Sequence, residues 1–357
     1  MRKKGIVVLL LLLLLFVLAA CSSEPEPEPE PSPEPVPVET VEPEPTPEPE
    51  PEPYRNPLTG ELTETDISGE RPWAVLLNNI RVALPQNGIG QADIIYEMPV
   101  EGGITRILAV FQDIEGAGEI GPVRSVRHYF IDVVQGHDAI FVHAGGSPQG
   151  YAAIRERGVP NIDGVLGSGR EFFRDSERQR RAGFEHSLMT TDVLLLRYVD
   201  NYEYRREHEP SFDPGFRFTE DAIPQDGDPA YEISVRFSNV KTGVFTFDAA
   251  TGLYQVSQFG GPHIDGNTDE QIAVTNVLVL FADFRVMDDE GRLDVDLNRG
   301  GTGYFATGGR MIPITWTKGG YGAPFRFQHA DGRPLELAVG RSYVNIVNSN
   351  TGSVTVE

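Results

Sequence analysis

A single cysteine stands among 357 residues. One thiol excludes a disulfide framework and a cysteine-rich zinc site. Basic side chains are also scarce: 30 Lys and Arg against 53 Asp and Glu leave a formal charge of −23. That balance excludes a nucleic-acid binder working through bulk positive charge. No apolar run of spanning length follows the short one at the N-terminus. No motif points to a cofactor and no internal repeat is visible. His128, His137, His143 and His186 lack metal-ligand spacing, so no metal site is expected.

What is there begins with an address. Met1–Lys4 is basic, Ile6–Leu18 is apolar, and small residues lead to Cys21. Residues 1–21 thus have the layout of a secretory signal, too short for a comfortable transmembrane helix. Leu18-Ala19-Ala20-Cys21 resembles a bacterial lipobox. The resemblance implies that the Cys21 thiol is lipidated and becomes the new N-terminus. The expected location is extracytoplasmic, lipid-anchored to the bacterial cell membrane, with that membrane as a partner through the N-terminal lipid. A lipidated Cys21 is no longer a nucleophile, which removes cysteine-based chemistries. An ordinary secretory signal with an incidental cysteine is the alternative.

Residues 22–55 form a Glu/Pro-rich linker. Ser22–Pro53 alone holds 11 Glu and 13 Pro. Such a stretch cannot bury a core. Alternating proline favours polyproline II, giving a reach of roughly 100 Å when extended. A spacer between membrane and body is the simple reading; a Pro-rich docking ligand is the sharper one.

The body is expected to be α+β: a mixed α/β N-terminal part over 56–222, then a mainly antiparallel β part over 230–357. In the first part, Asp93–Glu97 and Ile104–Phe111 read as a hairpin turned at Gly102-Gly103. Ser125–Gln135 carries apolar residues at helical spacing. Ala139–His143 reads as a short buried strand. Ser147-Pro148 opens a helix to Arg157, with serine as N-cap and proline at N1. Thr191 and Asp192 open another, Val193–Asn201. The second part alternates almost throughout, with Gly, Asp and Asn at short intervals, as antiparallel strands do. Phe212–Pro229 is the expected connection.

Several strings in this body go together. They are Asn56-Pro57-Leu58-Thr59-Gly60, Gln91-Ala92-Asp93-Ile94-Ile95-Tyr96-Glu97, Glu101-Gly102-Gly103-Ile104-Thr105-Arg106, Gly121-Pro122-Val123-Arg124-Ser125-Val126-Arg127 and Gly145-Gly146-Ser147-Pro148. Together they resemble the YerB-like bacterial lipoproteins, a family with N- and C-terminal domains of unknown function. The resemblance covers nearly all of 56–357 and implies no established activity. Phe184-Glu185-His186-Ser187 departs from the Pro-His-Asn type of string expected there; the histidine is kept and its neighbours differ.

The residues themselves suggest chemistry. Glu97 ends an apolar strand, Glu101 follows across Pro99, and Arg106 begins the return strand. If the three converge, Glu97 and Glu101 suit general acid and base on a glycosidic bond, which needs two carboxylates at fixed separation. The competing reading pairs one Glu with Arg106 and leaves the other solvated. Arg124 and Arg127, three apart on the expected helix, would offer two guanidinium forks at a helix start to a phosphate or carboxylate. Pairing with Glu97, Glu101 or Asp132 is the alternative. His143 and Ser147 have a strand–turn–helix layout. The Gly-x-Ser-x-Gly pattern is absent, and Pro148 removes the backbone donor an oxyanion hole would use. Ser147 therefore reads first as a cap, and His143 as a buried histidine. The candidate ligand-binding set is Arg106, Arg124, Arg127, His143, Ser147 and His186. The expected partner is peptidoglycan or an envelope protein. A glycan-cleaving enzyme and a structural adaptor are the alternatives.

Overall fold

The computed structural model describes residues 53–167 and 169–357; the expected signal, Cys21 and nearly all of the linker lie outside them. Glu52–Glu357 forms one compact unit. Its frame is a twelve-stranded mixed sheet. From one edge the main path runs Asp228–Pro229, Arg310–Thr317, Gly301–Thr307, Asn276–Val286, Ser342–Asn348, Ile94–Pro99, Thr105–Phe111, Trp73–Asn79, Ile140–His143 and Asn161–Asp163. Leu293–Asp296 pairs with Asn276–Val286, and Arg326–His329 with Arg310–Thr317. The α+β class holds.

The sequence suggests two consecutive parts, yet their strands share this sheet. Ile94–Pro99 lies parallel to Ser342–Asn348, with Ile94 opposite Ser342 and Glu97 opposite Asn345. Ser342–Asn348 in turn lies parallel to Asn276–Val286. Alternation in a sequence reports which side chains share a face, not which strand lies alongside. The parallel joint was therefore invisible, while the antiparallel hairpin Ile94–Pro99/Thr105–Phe111 is found as expected.

Both faces of the sheet are covered, so its central strands are apolar on both sides. On one face, Leu76, Tyr96, Met98 and Leu108 pack with Tyr129, Phe130, Val133 and Val134 of the helix His128–Gly136. On the other, Val75, Leu77, Ile95 and Ile107 pack with Ile233, Val235, Phe245 and Tyr254 of a second, six-stranded sheet. That antiparallel sheet comprises Glu232–Arg236, Thr242–Asp248, Leu253–Gln258 and shorter partners. The layers are thus helix, large sheet, small sheet. Each large apolar side chain moved into these two cores contributes about 1.5–3 kcal/mol. Phe245 of the small sheet meets Tyr343 of the large one edge-to-face at 5.0 Å. Trp316, Phe325 and Phe327 are core residues.

Local signals place the helices. Ser147 caps Pro148–Arg157 by accepting from the Gly150 N–H at 3.0 Å, and Gly158 closes it in a left-handed conformation. Thr191 caps Asp192–Asn201. The helix expected from Ser125 starts at His128 instead. Residues 121–125 are held extended by tertiary bonds: the Arg124 N–H donates to Leu76 O and the Asn78 N–H to Pro122 O.

Candidate functional site

Three parallel strands, Trp73–Asn79, Ile140–His143 and Asn161–Asp163, end at the same edge of the large sheet. Helix Pro148–Arg157 starts there, directly after His143, and helix His128–Gly136 starts there after the 121–125 segment. Crevices at the carboxyl ends of parallel strands, with helix N-termini turned toward them, are where such folds bind anions.

Neighbouring residues at this edge point to opposite layers. Asn79 lies opposite Thr105, and Asn78 opposite Arg106. Glu97 lies opposite Ile107, and Met98 opposite Arg106. Glu97, Asn79 and Thr105 therefore face the small sheet, while Arg106 and Asn78 face the helices.

On the helix side three guanidinium groups gather. Arg106 is 5 % exposed and donates to Ser125 O; among the described residues it has no carboxylate partner within ion-pair distance. Burial, and then the charges of Arg127 and Arg124, push it down to about 9. Arg127 holds Glu101 through both forks, with Nη2 at 2.9 Å from Oε2. Burial alone would raise Glu101, but the hydrogen bond and charge of Arg127 hold it below the usual carboxylate range. Arg124 donates to Glu185 O at 2.9 Å, and its Nη2 lies 3.6 Å from Glu185 Oε2. Its Nε is buried without a hydrogen-bond partner among the described residues. The Asn78 amide donates to His186 Nδ1 at 2.7 Å, which leaves the ring proton on Nε2, 3.1 Å from Glu185 Oε1. Burial and the Arg124 charge lower His186. The cluster carries an excess of positive charge.

On the opposite side Glu97 is 1 % exposed and fully engaged. Asn79 Nδ2 and Thr105 Oγ1 donate to Oε1 at 2.8 and 2.5 Å, Tyr343 donates to Oε2 at 2.6 Å, and the Lys241 ammonium lies 3.0 Å from Oε1. Burial lowers Lys241, with Glu97 opposing that shift. The ion pair closes within the protein.

This geometry corrects several expectations. Glu97 and Glu101 do not form an acid/base pair, because they turn to opposite layers and each is bound to its own cation. Arg106 pairs with neither. Arg124 and Arg127 do not share a helix face, because the helix starts after both; they converge because the backbone of residue 124 is pinned to Leu76 within Trp73–Asn79. His143 is fully buried between Gly145 O at 2.9 Å and Asn161 Oδ1 at 3.1 Å, stacked on Phe141. It shapes the turn and is not presented to a ligand. Ser147 spends its oxygen on the helix cap. Of the six candidates, Arg106, Arg124, Arg127 and His186 come together. Asn78 joins them unannounced, although two asparagines ending an apolar strand were a visible signal. Lys241 and Tyr343 had none, because only the tertiary fold brings them to Glu97.

Known proteins align with this chain along most of its length. The family described as "Protein of unknown function (DUF3048) N-terminal domain" matches residues 58–205, and its C-terminal counterpart matches residues 233–344. The Bacillus subtilis (strain 168) protein named "Putative lipoprotein YerB" is 32% identical over 298 residues, covering 82% of this chain and 85% of that protein. A crystal structure of YerB protein from Bacillus subtilis matches with a TM-score of 0.73 and 30% identity, covering 84% of this chain and 99% of that one. The Gly-Pro-Val-Arg segment and the Arg106 strand both lie inside the N-terminal match. By these matches to both of its halves, the chain belongs to the DUF3048 family.

Proposed function

We propose that this chain is an extracytoplasmic lipoprotein that binds an anionic group of a cell-envelope component, peptidoglycan first among them, through Arg106, Arg124, Arg127 and His186. The observation that carries this reading is Arg106: a buried guanidinium beside two others and, among the described residues, without a carboxylate of its own. Buried charge is costly unless paired, and a carboxylate or phosphate at this edge would supply the missing partner. The secretory layout of residues 1–21, the long acidic linker and the name of the B. subtilis relative support the location. Among the described residues no helix is long and apolar enough to cross a membrane. The opposite orientations of Glu97 and Glu101 leave the glycan-cleaving alternative without its carboxylate pair.

Two experiments test this. The compact unit Glu52–Glu357 is incubated with purified peptidoglycan, and both sedimentation and soluble fragments are recorded. Co-sedimentation that falls with added salt and is lost in Arg106→Met and Arg124→Gln is expected, without released fragments. Sedimentation unchanged in both variants sinks the assigned site, and absence of sedimentation turns the search to protein partners. Separately, Cys21→Ala in the full chain is expected to move the protein from membranes to the soluble fraction; full membrane retention would refute the anchor.

A further inference from the structure

The edge that holds the arginine cluster also exposes apolar side chains. After Asn161–Asp163 the chain turns back at once, with the Gly167 N–H donating to Asp163 O at 2.9 Å. Val165 and Leu166 form the tip of this turn and are 59 % and 72 % exposed. Phe184, which opens the short turn Phe184–His186, is 61 % exposed. Apolar residues exposed singly need no explanation. Three of them on two loops that bracket one group of cations do.

The bracketing is geometric. A Cβ placed on Gly145 would lie 3.4 Å from Val165 Cγ2 and 3.6 Å from Ser125 Oγ. Ser125 O is the acceptor of Arg106, so the first tip borders that guanidinium. On the other side Glu185, next in the chain to Phe184, receives Arg124. Arg174 lies over the Phe184 ring, 3.7 Å from its centroid, and donates to Phe184 O at 2.6 Å. Burial, and then the charge of Arg124, lower Arg174, which therefore belongs to the same group of cations.

The charges at this end run against the rest of the molecule. With a formal −23 over the chain, general adhesion to an anionic surface is excluded, and any such contact has to be local. Asp163 spends its oxygens on the Gly145 and Val165 N–H groups and the Tyr151 hydroxyl. Glu101 is held by Arg127. Arg106 and Arg174 donate to backbone carbonyls and have no carboxylate within ion-pair distance among the described residues. Guanidinium groups flanked by exposed apolar tips suit a ligand with a phosphate at one end and hydrocarbon at the other. A wall polymer would engage the cations and leave the tips idle.

We propose that this end docks on a membrane surface, taking a lipid phosphate among Arg106, Arg124 and Arg174 while Val165, Leu166 and Phe184 enter the boundary between headgroups and acyl chains. The proposal rests on the arginine-cluster reading and adds a lipid phosphate as a ligand of that site. The long linker leaves the body free to turn this end toward the membrane.

The test uses the compact unit Glu52–Glu357, which lacks Cys21 and so cannot bind through an N-terminal lipid. Sedimentation is followed with vesicles of phosphatidylcholine alone and with vesicles that also contain phosphatidic acid. Binding to the second kind and not the first is expected. Leu166→Ser with Phe184→Ser removes apolar surface without changing charge; it should weaken vesicle binding about tenfold and leave the melting temperature unchanged. Arg106→Met should abolish vesicle binding. Soluble glycerol phosphate, a headgroup without chains, should compete poorly. Equal binding to both kinds of vesicle, no binding to either, or binding undiminished by the double serine variant would overturn the proposal. Peptidoglycan sedimentation measured in parallel separates the two readings. If it persists while vesicles fail, membrane docking alone is overturned; if both fail, the arginine cluster loses its role as well.

Discussion

Glu97 and Arg106 sit on adjacent strands, one register step apart, and meet opposite fates. Glu97 faces the small sheet, where an ammonium, a phenol, an amide and a hydroxyl surround it. Arg106 faces the helices, where two more arginines crowd it and Glu101, which acts on its charge, is held by Arg127. One face has balanced its charges internally and the other has not. A buried ion in a closed pair is a structural element, because its partner is always present. A buried ion among like charges lacks such a partner, and that lack motivates the anion proposed above. Equal burial at two points of one hairpin thus carries opposite functional meaning.

The most direct way to break the comparison is to unbalance the closed side. Glu97→Gln leaves the Lys241 ammonium buried without its counter-charge and should cost about 3–5 kcal/mol. Chemical denaturation measures this. Adding Lys241→Met should recover most of the loss, since an apolar side chain of similar length needs no counter-ion. A cost below about 1 kcal/mol for Glu97→Gln would mean that water reaches the pair, and the closed description would fail.

Much of the frame was legible beforehand. The hairpin, the Ser147 cap, the helix from Pro148 and the alternating second part all rest on local rules of turn, cap and period. The site was legible only in part, for two physical reasons. Residues 94–99 and 105–111 are buried on both faces, so no polar alternation told which layer Glu97 or Arg106 would meet. Arg124 has a helical sequence context, yet its backbone is claimed by Leu76 and Ala144 across the fold. Tertiary hydrogen bonds outweigh propensity there. Lys241 lies in an ordinary polar turn, and its burial follows from sheet packing that no local pattern encodes.

Acid sharpens the comparison next. On the closed side His263 lies against Gln86 at 2.8 Å, and its Nδ1 is buried without a partner among the described residues. Burial, and then the Lys241 charge, push the ring down to about 3 from an ordinary 6.5. Above pH 6.5 neither the folded nor the unfolded ring is protonated. As the pH falls below 6.5, the unfolded chain takes up a proton that the folded one refuses, so stability falls. By pH 4.5 the loss should be about 3 kcal/mol from this ring. His263→Gln should flatten that part of a melting temperature–pH curve. An unchanged slope would show that His263 is accessible to protons in the folded state.

On the open side the same kind of change should act in reverse. Arg106→Met removes a desolvated cation from beside two others and loses one hydrogen bond to Ser125 O. Stability should rise by up to about 1 kcal/mol, while anion binding is lost. A gain in stability coupled to lost binding is the signature of a group retained for its ligand. Destabilisation by more than about 2 kcal/mol would instead mark Arg106 as part of the scaffold.

The smallest change in stability is expected at Glu101, and it carries the finest distinction. Glu101→Gln is the same substitution as at position 97, on a carboxylate that also pairs with a cation. Here the pair is half-buried, and Arg127 keeps Val126 O as a second acceptor. The cost should be about 1 kcal/mol or less. Removing the one carboxylate that Arg127 binds among the described residues also removes a competitor for incoming anions. Affinity for the envelope anion should therefore increase several-fold, most strongly at low salt where opposing charges are least screened. If Glu101→Gln weakens binding instead, the carboxylate orients Arg127 toward the ligand rather than competing with it. The open side would then be a site of alternating charges, and a ligand bearing both signs would fit it better than a simple anion.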